Sequence, residues 1–165
     1  MFLRFFRKLF SASHPKTAVS PSSSERHSEK QGLWGERQAE QYLIRKGYRT
    51  LGRRVRVQGD EIDLVMEPAN PDRRPLLVFV EVKTRSSRLY GGGRAALNAR
   101  KRHALVRAVL HYLRKCPPVP FRIDLVEVYG AEDRDRIEEI VHHQAAVPVP
   151  KQILFSTAPR VRPVR

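Results

Sequence analysis

Two stretches, EIDLVME at residues 61–67 and LLVFVEVKTR at residues 76–85, constrain the fold of this chain more than any other part of it. Both have the apolar, partly β-branched composition of β-strands, and a proline-rich turn at residues 68–75 separates them. Each also carries an acidic residue, Asp63 or Glu81, where a buried strand is normally apolar. Burying a carboxylate is costly unless it is paired or binds a cation. The two stretches therefore predict a hairpin built around an acidic site.

The remaining hydrophobic patterns place this hairpin in a longer series of helices and strands. Helical periodicity that ends at a glycine or at prolines predicts helices at residues 33–47 and 94–115. Alternating or continuous apolar runs predict strands at residues 48–57, 61–67, 76–85, 121–129 and 136–143. This order predicts an α/β fold, a mixed sheet flanked by helices.

Composition limits the class of protein and its partners. Of 165 residues, 41% are apolar and 30% are charged, which indicates a globular protein rather than a disordered one. No apolar run approaches the roughly 20 residues of a transmembrane helix. The single cysteine, Cys116, excludes an intrachain disulfide and a cysteine-rich zinc site, and it suits the cytoplasm. A formal net charge of +15 predicts an anionic partner, either nucleic acid or an acidic membrane surface.

The two ends of the chain differ from its centre. We predict a basic, mobile N-terminal extension at residues 1–31, a folded domain at residues 32–143 and a Pro- and Arg-rich tail at residues 144–165. Within the extension, residues 1–10 carry phenylalanines and leucines on one side of a helical wheel and basic residues on the other. We interpret this segment as a plain extension, with contact to a membrane surface or to a partner as the alternative.

The geometry of the predicted hairpin brings its two acidic residues together. If the strands pair about a turn near Asp72, Asp63 lies opposite Glu81, with Cβ atoms roughly 4.5–5.5 Å apart. Because side chains alternate along a strand, Glu61 and Lys83 share that face. The opposite face then carries only apolar side chains, namely Ile62, Leu64, Met66, Val78, Val80 and Val82.

Two adjacent carboxylates repel each other unless a cation lies between them. Oxygen ligands alone suit Mg²⁺ or Mn²⁺, so we predict that Asp63 and Glu81, with Glu61 on the same face, hold one of these ions. Such an ion generates hydroxide from water and stabilises charge on a phosphate, and Lys83 beside it orients the water. The alternative is a cluster of carboxylates and a lysine that stabilises the hairpin through ion pairs.

A long stretch of positive charge follows the hairpin. No acidic residue occurs between Glu81 and Asp124, whereas eleven lysines and arginines do. Beside a cation site this stretch predicts a track for nucleic-acid phosphates, with solubility as the alternative role of any single arginine. The residues assigned to nucleic-acid binding are Arg85, Arg88, Arg94, Arg100, Lys101, Arg102 and Arg107.

Two adjacent histidines, His142 and His143, fall in the last predicted strand. Neighbouring residues of a strand point to opposite faces, so these two cannot bind one ion. We interpret both as surface or edge residues.

Several motifs of the chain resemble those of a known family. They are Gly35-Glu36, Ala39, Tyr42-Leu43, Gly47-Tyr48, Gly59-Asp60-Glu61-Ile62-Asp63-Leu64-Val65 and Val78-Phe79-Val80-Glu81-Val82-Lys83-Thr84-Arg85. Over about residues 32–143 the chain resembles the YraN family of small bacterial proteins, which is similar to the Holliday-junction-resolvase branch of the PD-(D/E)XK nuclease superfamily. The resemblance implies a restriction-endonuclease-like αβββαβ core and a cytoplasmic, Mg²⁺-dependent endonuclease that cuts DNA, with branched or damaged DNA as candidate substrates.

The resemblance also implies roles for individual residues. Asp63 and Glu81 correspond to the metal carboxylates, and Lys83 to the catalytic lysine of the E-x-K motif. Glu36 matches the acidic residue that family members place near the metal, and it completes the catalytic set. Glu61 matches a glutamate of the family.

Three further positions are informative. Lys101 falls where relatives carry a lysine early in the second helix, which implies contact with phosphate. The sequence departs from the family pattern at Arg54, where Asn is usual, and at Asp60, where a second Gly is common. Resolvases of this kind act as dimers because a four-way junction is two-fold symmetric, so a homodimer is expected. The alternatives are a non-catalytic DNA-binding module and a membrane-surface adaptor that uses residues 1–10.

Overall fold

A computed structural model describes residues 22–70, 72, 74–86, 97–131, 133 and 136–149. Within these residues the elements are α1 (Ser23–Arg45), β1 (Tyr48–Val57), β2 (Asp60–Pro68), β3 (Leu77–Arg85), α2 (Ala99–Leu113), β4 (Phe121–Ala131) and β5 (Arg136–His143). All five predicted strands and both predicted helices are present. The chain therefore follows the αβββαβ order and adds one further strand.

α1 begins ten residues earlier than the sequence predicts, at Ser23 rather than Leu33. Its first residues are exposed, so they lack the apolar periodicity from which a helix is normally predicted. Glu, Arg, Lys and Gln favour helix without burial, and the packed part of α1 provides the nucleus that they extend. Residues 23–31, which the sequence assigns to a mobile extension, therefore belong to the first helix. Residues 1–21 lie outside the described residues.

The sheet has the strand order β1-β2-β3-β4-β5. Neighbouring strands are antiparallel except for β3 and β4, which are parallel. A parallel pair needs a crossover connection, and α2 lies between β3 and β4 in the chain. The mixed sheet flanked by helices confirms the predicted α/β class and is consistent with a restriction-endonuclease-like core.

Each face of the sheet is covered by one helix, and we name the faces after these helices. The α1 face contains Trp34, Ala39, Leu43, Leu64, Met66, Val78, Val80, Val82, Val126 and Val128. The α2 face includes Val55, Val57, Ile62, Val65, Leu77, Phe79, Leu105, Val109, Ile123 and Leu125. Because both faces of β3 are covered, its first six residues are all buried, which explains its continuous apolar run.

The predicted hairpin register is confirmed, but one apolar residue lies on the other face. Leu64 pairs with Val80, which is the register that places Asp63 opposite Glu81. Ile62, however, packs in the cluster of the α2 face, whereas Leu64 packs on the α1 face. The prediction that these two residues share one face is wrong, because the alternation of β2 is interrupted between them.

The interruption coincides with an unusual backbone conformation in β1. Arg54 has a φ of 46°, and its neighbours in β1 pair with Leu64 and Ile62, so Arg54 lies opposite Asp63. This left-handed region is costly for most residues and less so for Asn. The conformation gives a physical reason for the Asn that the resemblance to the YraN family implies at this position.

Candidate functional site

Asp63 lies where β2 and β3 stop pairing through their backbones. The backbone ladder covers only Leu64 to Met66 of β2. Beyond it, the backbone N–H of Val82 donates to Oδ2 of Asp63 at 2.7 Å. The Asp63 carboxylate is thereby fixed to β3 at Val82, the residue that follows Glu81.

Glu81 is buried and bonded to two lysines. Its side chain is 2% exposed, and its Oε1 accepts from the Nζ of Lys83 at 2.6 Å and lies 3.0 Å from the Nζ of Lys101. Lys83 follows Glu81 on the same face of β3, whereas Lys101 comes from the first turn of α2. Asn98 caps that helix by accepting from the backbone N–H of Lys101. The two ammonium groups compensate the cost of burying the Glu81 carboxylate.

A close approach of α1 to β3 brings Glu36 to the same place. A Cβ atom at Gly35 would overlap the side chain of Thr84, so glycine allows the helix and the strand to touch here. At the adjacent residue, Glu36, burial raises the pKa, and the negative charges of Glu61 and Glu81 add to the effect. Glu36 therefore belongs electrostatically to the acidic site.

Burial is the main influence on the protonation of Asp63. Burial raises the pKa of Asp63 to about 7, with the charge of Glu81 as the second cause, and the hydrogen bond from Val82 opposes this shift. An ion-paired aspartate would have a lowered pKa instead. A cation that binds here would favour the ionised form of Asp63.

Lys83 differs from a surface lysine in its protonation. Burial lowers its pKa, and the nearby charge of Lys101 lowers it further, while the bond to Glu81 works in the opposite direction. Lys83 therefore gives up a proton more readily than an exposed lysine. This property suits a group that orients water or takes part in proton transfer.

In the part of the chain that the structure describes, no three Asp, Glu, His or Cys side chains form a ready-made metal cage. The donor chemistry nevertheless fits Mg²⁺ or Mn²⁺, because Asp63 and Glu81 supply only oxygen ligands. Burial and the charge of Glu81 raise the pKa of Asp63, and a divalent cation bound here would offset both effects. These residues fit a divalent cation, although Glu81 is bonded to lysines in this structure.

Glu61 is engaged by arginines. Its Oε1 accepts from the Nε of Arg54 at 3.0 Å, and its Oε2 accepts from the Nε of Arg56 at 2.9 Å. Burial alone would raise the pKa of Glu61, but these bonds outweigh burial and lower it. The role of Glu61 as a metal ligand stays a prediction. To bind the cation, Glu61 would have to give up its bond to one of these arginines.

The basic residues around the start of α2 have different surroundings. Arg100 and Arg102 are exposed and available to a large anion. Lys101 contacts Glu81, so it belongs to the acidic site as well as to the basic surface. Arg88 and Arg94 lie outside the described residues, and their role stays a prediction.

Two further residues assigned to nucleic-acid binding are paired with acids. Arg107 donates to Asp60 through two bonds of 3.0 Å, and Arg85 lies 3.4 Å from Glu127. Asp60 is the position where the family commonly has a second Gly. Its carboxylate therefore gives this chain an additional link between β2 and α2.

Two buried carboxylates of β4 were missed by the sequence analysis. Asp124 is 0% exposed and Glu127 is 1% exposed, and both lie within the apolar run FRIDLVEVY. The signal was the one that identified Asp63, an acid inside a strand. Each carboxylate binds a histidine at 2.9 Å, His142 in the first case and His143 in the second.

The two histidines are edge residues, one of the two predicted alternatives, but they are not free at the surface. β5 is an edge strand, and its histidines point to opposite faces, as expected. His142 is 7% exposed and His143 is 31% exposed, so neither is a free surface residue. Each is held by a carboxylate of the neighbouring strand.

Comparison with known proteins identifies the family. The model of the "Uncharacterised protein family UPF0102" matches residues 35–128, more than half of the chain. The chain belongs to the UPF0102 family. This confirms the resemblance to the YraN family, and the matched region contains every site residue discussed so far except the two histidines of β5.

Relatives from several bacteria support the UPF0102 assignment. A UPF0102 protein of Methylibium petroleiphilum is 43% identical over 106 residues, which cover 60% of this chain and 84% of the relative. One from Syntrophomonas wolfei is 36% identical over 113 residues, or 67% and 94% of the two chains. One from Symbiobacterium thermophilum is 40% identical over 108 residues, or 64% and 87%.

The structure leaves the proposed membrane contact untested. None of the helices in the described ranges is long and apolar enough to span a membrane. Residues 1–10, the segment with the amphipathic pattern, lie outside those ranges. Contact between this segment and a membrane surface stays a prediction.

Proposed function

We propose that this UPF0102 protein is a divalent-cation-dependent endonuclease that hydrolyses phosphodiester bonds of branched or damaged DNA. The observation that supports this most is the meeting of Asp63, Glu81 and Lys83 where β2 and β3 separate. A purely structural ion-pair cluster would lower the pKa of Asp63, whereas here burial and Glu81 raise it. The free thiol of Cys116 suits the cytoplasm, where we place the activity.

Each residue of the site has a role in this proposal. Asp63 and Glu81 would hold Mg²⁺ or Mn²⁺, with Glu36 as the additional carboxylate from α1. When bound, the ion activates water and neutralises charge on the phosphate. Lys83 orients the attacking water and stabilises the negative charge that develops on the phosphate oxygens. Lys101, at the start of α2, adds a second positive charge beside Glu81.

A panel of DNA substrates tests this proposal. Purified protein is incubated with end-labelled linear, flapped and four-way DNA in Mg²⁺ or Mn²⁺, and the products are separated on denaturing gels. We expect cleavage, with branched DNA preferred over linear DNA. Since a four-way junction is two-fold symmetric, we also propose that a homodimer cuts it, which analytical ultracentrifugation of the complex can measure. Absence of cleavage of every substrate would refute the endonuclease proposal.

A second candidate function is a DNA-binding module that keeps the nuclease fold without turnover. It is favoured by the bonds from Lys83 and Lys101 to Glu81, which already compensate this carboxylate without a metal ion. The two candidates differ in one outcome of the panel. The binding module would retain branched DNA in gel-shift experiments and would leave every strand intact.

Binding of DNA by either candidate should depend steeply on salt. If about four to six phosphates are neutralised, the slope of log K against log salt concentration should be roughly −4 to −5. Replacing the exposed Arg100 and Arg102 with Glu should weaken binding regardless of sequence, because phosphate contacts carry no sequence information. The matched control replaces Arg114 and Lys115, exposed beyond the other end of α2. Fluorescence anisotropy measures the salt slope and the affinities of the two variants. A flat salt response, or an equal loss of DNA affinity in the variant and in the control, would contradict the basic-surface proposal.

A further inference from the structure

Three polar side chains meet on the α2 face of the sheet beside Lys83. Glu127 of β4 lies 2.9 Å from the Nε2 of His143 through its Oε2 and 3.4 Å from the Nε of Arg85 through its Oε1. In the parallel register Glu127 pairs with Lys83, and paired residues share a face. These three residues, which we call the Glu127 cluster, therefore adjoin the candidate catalytic lysine.

The Glu127 cluster is buried at its base and open at its top. The side chain of Glu127 is 2% exposed, whereas those of Arg85 and His143 are 27% and 31% exposed. Since His143 faces Glu127 through Nε2, its Nδ1 lies on the opposite side of the ring. The carboxylate thus holds a guanidinium and an imidazole whose remaining nitrogens can reach a ligand.

The bonding within the Glu127 cluster is incomplete. Over the described residues, the Nε of Arg85 and the Oε1 of Glu127 are buried without a hydrogen bond. Buried polar atoms are normally satisfied, so an exception calls for an explanation, such as a functional role or a bound water or ion. A guanidinium that is not tied by aligned bonds can offer its amino groups to a phosphate, which it binds through parallel hydrogen bonds.

β4 carries a second cluster of the same residue types that shows a closed arrangement. On the α1 face, Asp124 accepts from Arg122, His142 and the backbone N–H of Ala145 at 2.9 to 3.0 Å. Arg122 also donates to the hydroxyl of Tyr48 at 2.8 Å. In this cluster both carboxylate oxygens of Asp124 accept hydrogen bonds. In the Glu127 cluster, one carboxylate oxygen and the Nε of Arg85 lack one.

We propose that Arg85 and His143, positioned by Glu127, form a phosphate-binding subsite for the DNA backbone. The sheet places this subsite across β3, β4 and β5, within roughly 10 Å of Lys83 because neighbouring strands are about 4.8 Å apart. It would therefore hold a phosphate near the one that is cleaved. The inference rests on the proposed function for the identity of the ligand, and it assigns Glu127 and His143 a role that the sequence did not predict.

Glu127→Gln tests the subsite because general electrostatics and the proposal predict opposite results. Removal of a negative charge should strengthen binding to a polyanion. If Glu127 positions Arg85 and His143, the variant should instead bind DNA about tenfold more weakly. The Kd for a labelled four-way DNA is measured in EDTA, so that cleavage does not contribute. Asp124→Asn is the matched control, a buried carboxylate of the same strand that also binds an arginine and a histidine, and it should bind DNA at least as tightly as the wild type.

Two substitutions extend the test to the cationic side chains, which are more exposed and less needed for folding. Arg85→Gln should weaken binding and make the salt slope less steep by about 1, the effect of one lost phosphate contact. In a variant that combines Arg85→Gln with His143→Gln, adding Glu127→Gln should no longer weaken binding, because Glu127 acts through these two side chains.

Three results would overturn the subsite. They are unchanged or tighter DNA binding by the Glu127 and Arg85 variants, an equal loss of affinity in Asp124→Asn, and no binding of DNA by the wild type in EDTA. The first two would leave the proposed endonuclease activity intact, because that activity is measured separately as strand cleavage. Absence of cleavage combined with the expected affinity changes would refute the endonuclease and retain the subsite.

Discussion

Lys83→Met is expected to remove most DNA cleavage while leaving DNA binding and cation binding nearly intact. A group that stabilises charge in the transition state is typically worth about 10² to 10³ in rate, so cleavage should fall at least about a hundredfold. The variant should fold, because Lys101 remains 3.0 Å from Glu81 and keeps this buried carboxylate paired. DNA affinity should change by less than about tenfold, since one positive charge is lost among many.

The control for Lys83→Met is a variant that loses the charge of a lysine outside the site. Lys46, exposed at the end of α1, provides this control as Lys46→Met. Single-turnover cleavage and gel shifts are measured for both variants and for the wild type. Equal cleavage by Lys83→Met and the wild type would mean that Lys83 only pairs with Glu81, and the proposed mechanism would be wrong.

Asp63→Asn is expected to stabilise the cation-free protein at pH 8 and to have little effect near pH 4. The folded-state pKa of Asp63, about 7, lies above its ordinary value of 3.8. Between these values the folded state binds more protons than the unfolded state, so stability falls as pH rises from about 4 to 7. At 1.36 kcal/mol per pKa unit, the full shift lowers the free energy of unfolding of the wild type by at most about 4 kcal/mol. Asp63→Asn has no ionisable group at this position, so it does not undergo this loss. Urea unfolding in EDTA at both pH values measures the difference.

Glu67→Gln is the control for this prediction. Glu67 lies on the same strand and pairs with the exposed Arg49, so its replacement removes a carboxylate away from the site. If Asp63→Asn and the wild type show the same dependence of stability on pH, Asp63 does not carry the buried charge that the account requires.

Asp63→Asn also separates cation binding from other effects. A ligand that binds only the folded state stabilises it by about 2.7 kcal/mol when its concentration is a hundred times its Kd. Mg²⁺ or Ca²⁺ should therefore raise the melting temperature of the wild type, and Asp63→Asn should lose this rise. An equal rise in both proteins would exclude Asp63 as a ligand.

Much of the hairpin could be predicted from the sequence because its determinants are local. A short proline-rich turn fixes which residues face each other, and the alternation of side chains fixes which of them share a face. Together these rules placed Asp63 opposite Glu81 and set Lys83 on the same face as Glu81. The departure at Ile62 coincides with the left-handed conformation of Arg54, which hydrophobic patterns do not show.

Contacts between distant elements could not be predicted in this way. The bond from Lys101 to Glu81 depends on where α2 begins and crosses the sheet. The Glu127 cluster depends on the parallel register of β3 and β4 and on the order of the strands. The start of α1 at Ser23 could not be predicted either. Hydrophobic patterns indicate only those parts of a helix that are buried, and the first residues of α1 are exposed.

Cleavage of one labelled four-way DNA in parallel reactions with Mg²⁺, Mn²⁺ or EDTA tests cation-dependent hydrolysis most directly. The wild type and Glu67→Gln should cut the DNA with either cation and should leave it intact in EDTA. Asp63→Asn should cut at least about a hundredfold more slowly, because it lacks a carboxylate that holds the ion. Cleavage that persists in EDTA, or equal rates for Asp63→Asn and the wild type, would contradict a metal centre at Asp63 and Glu81.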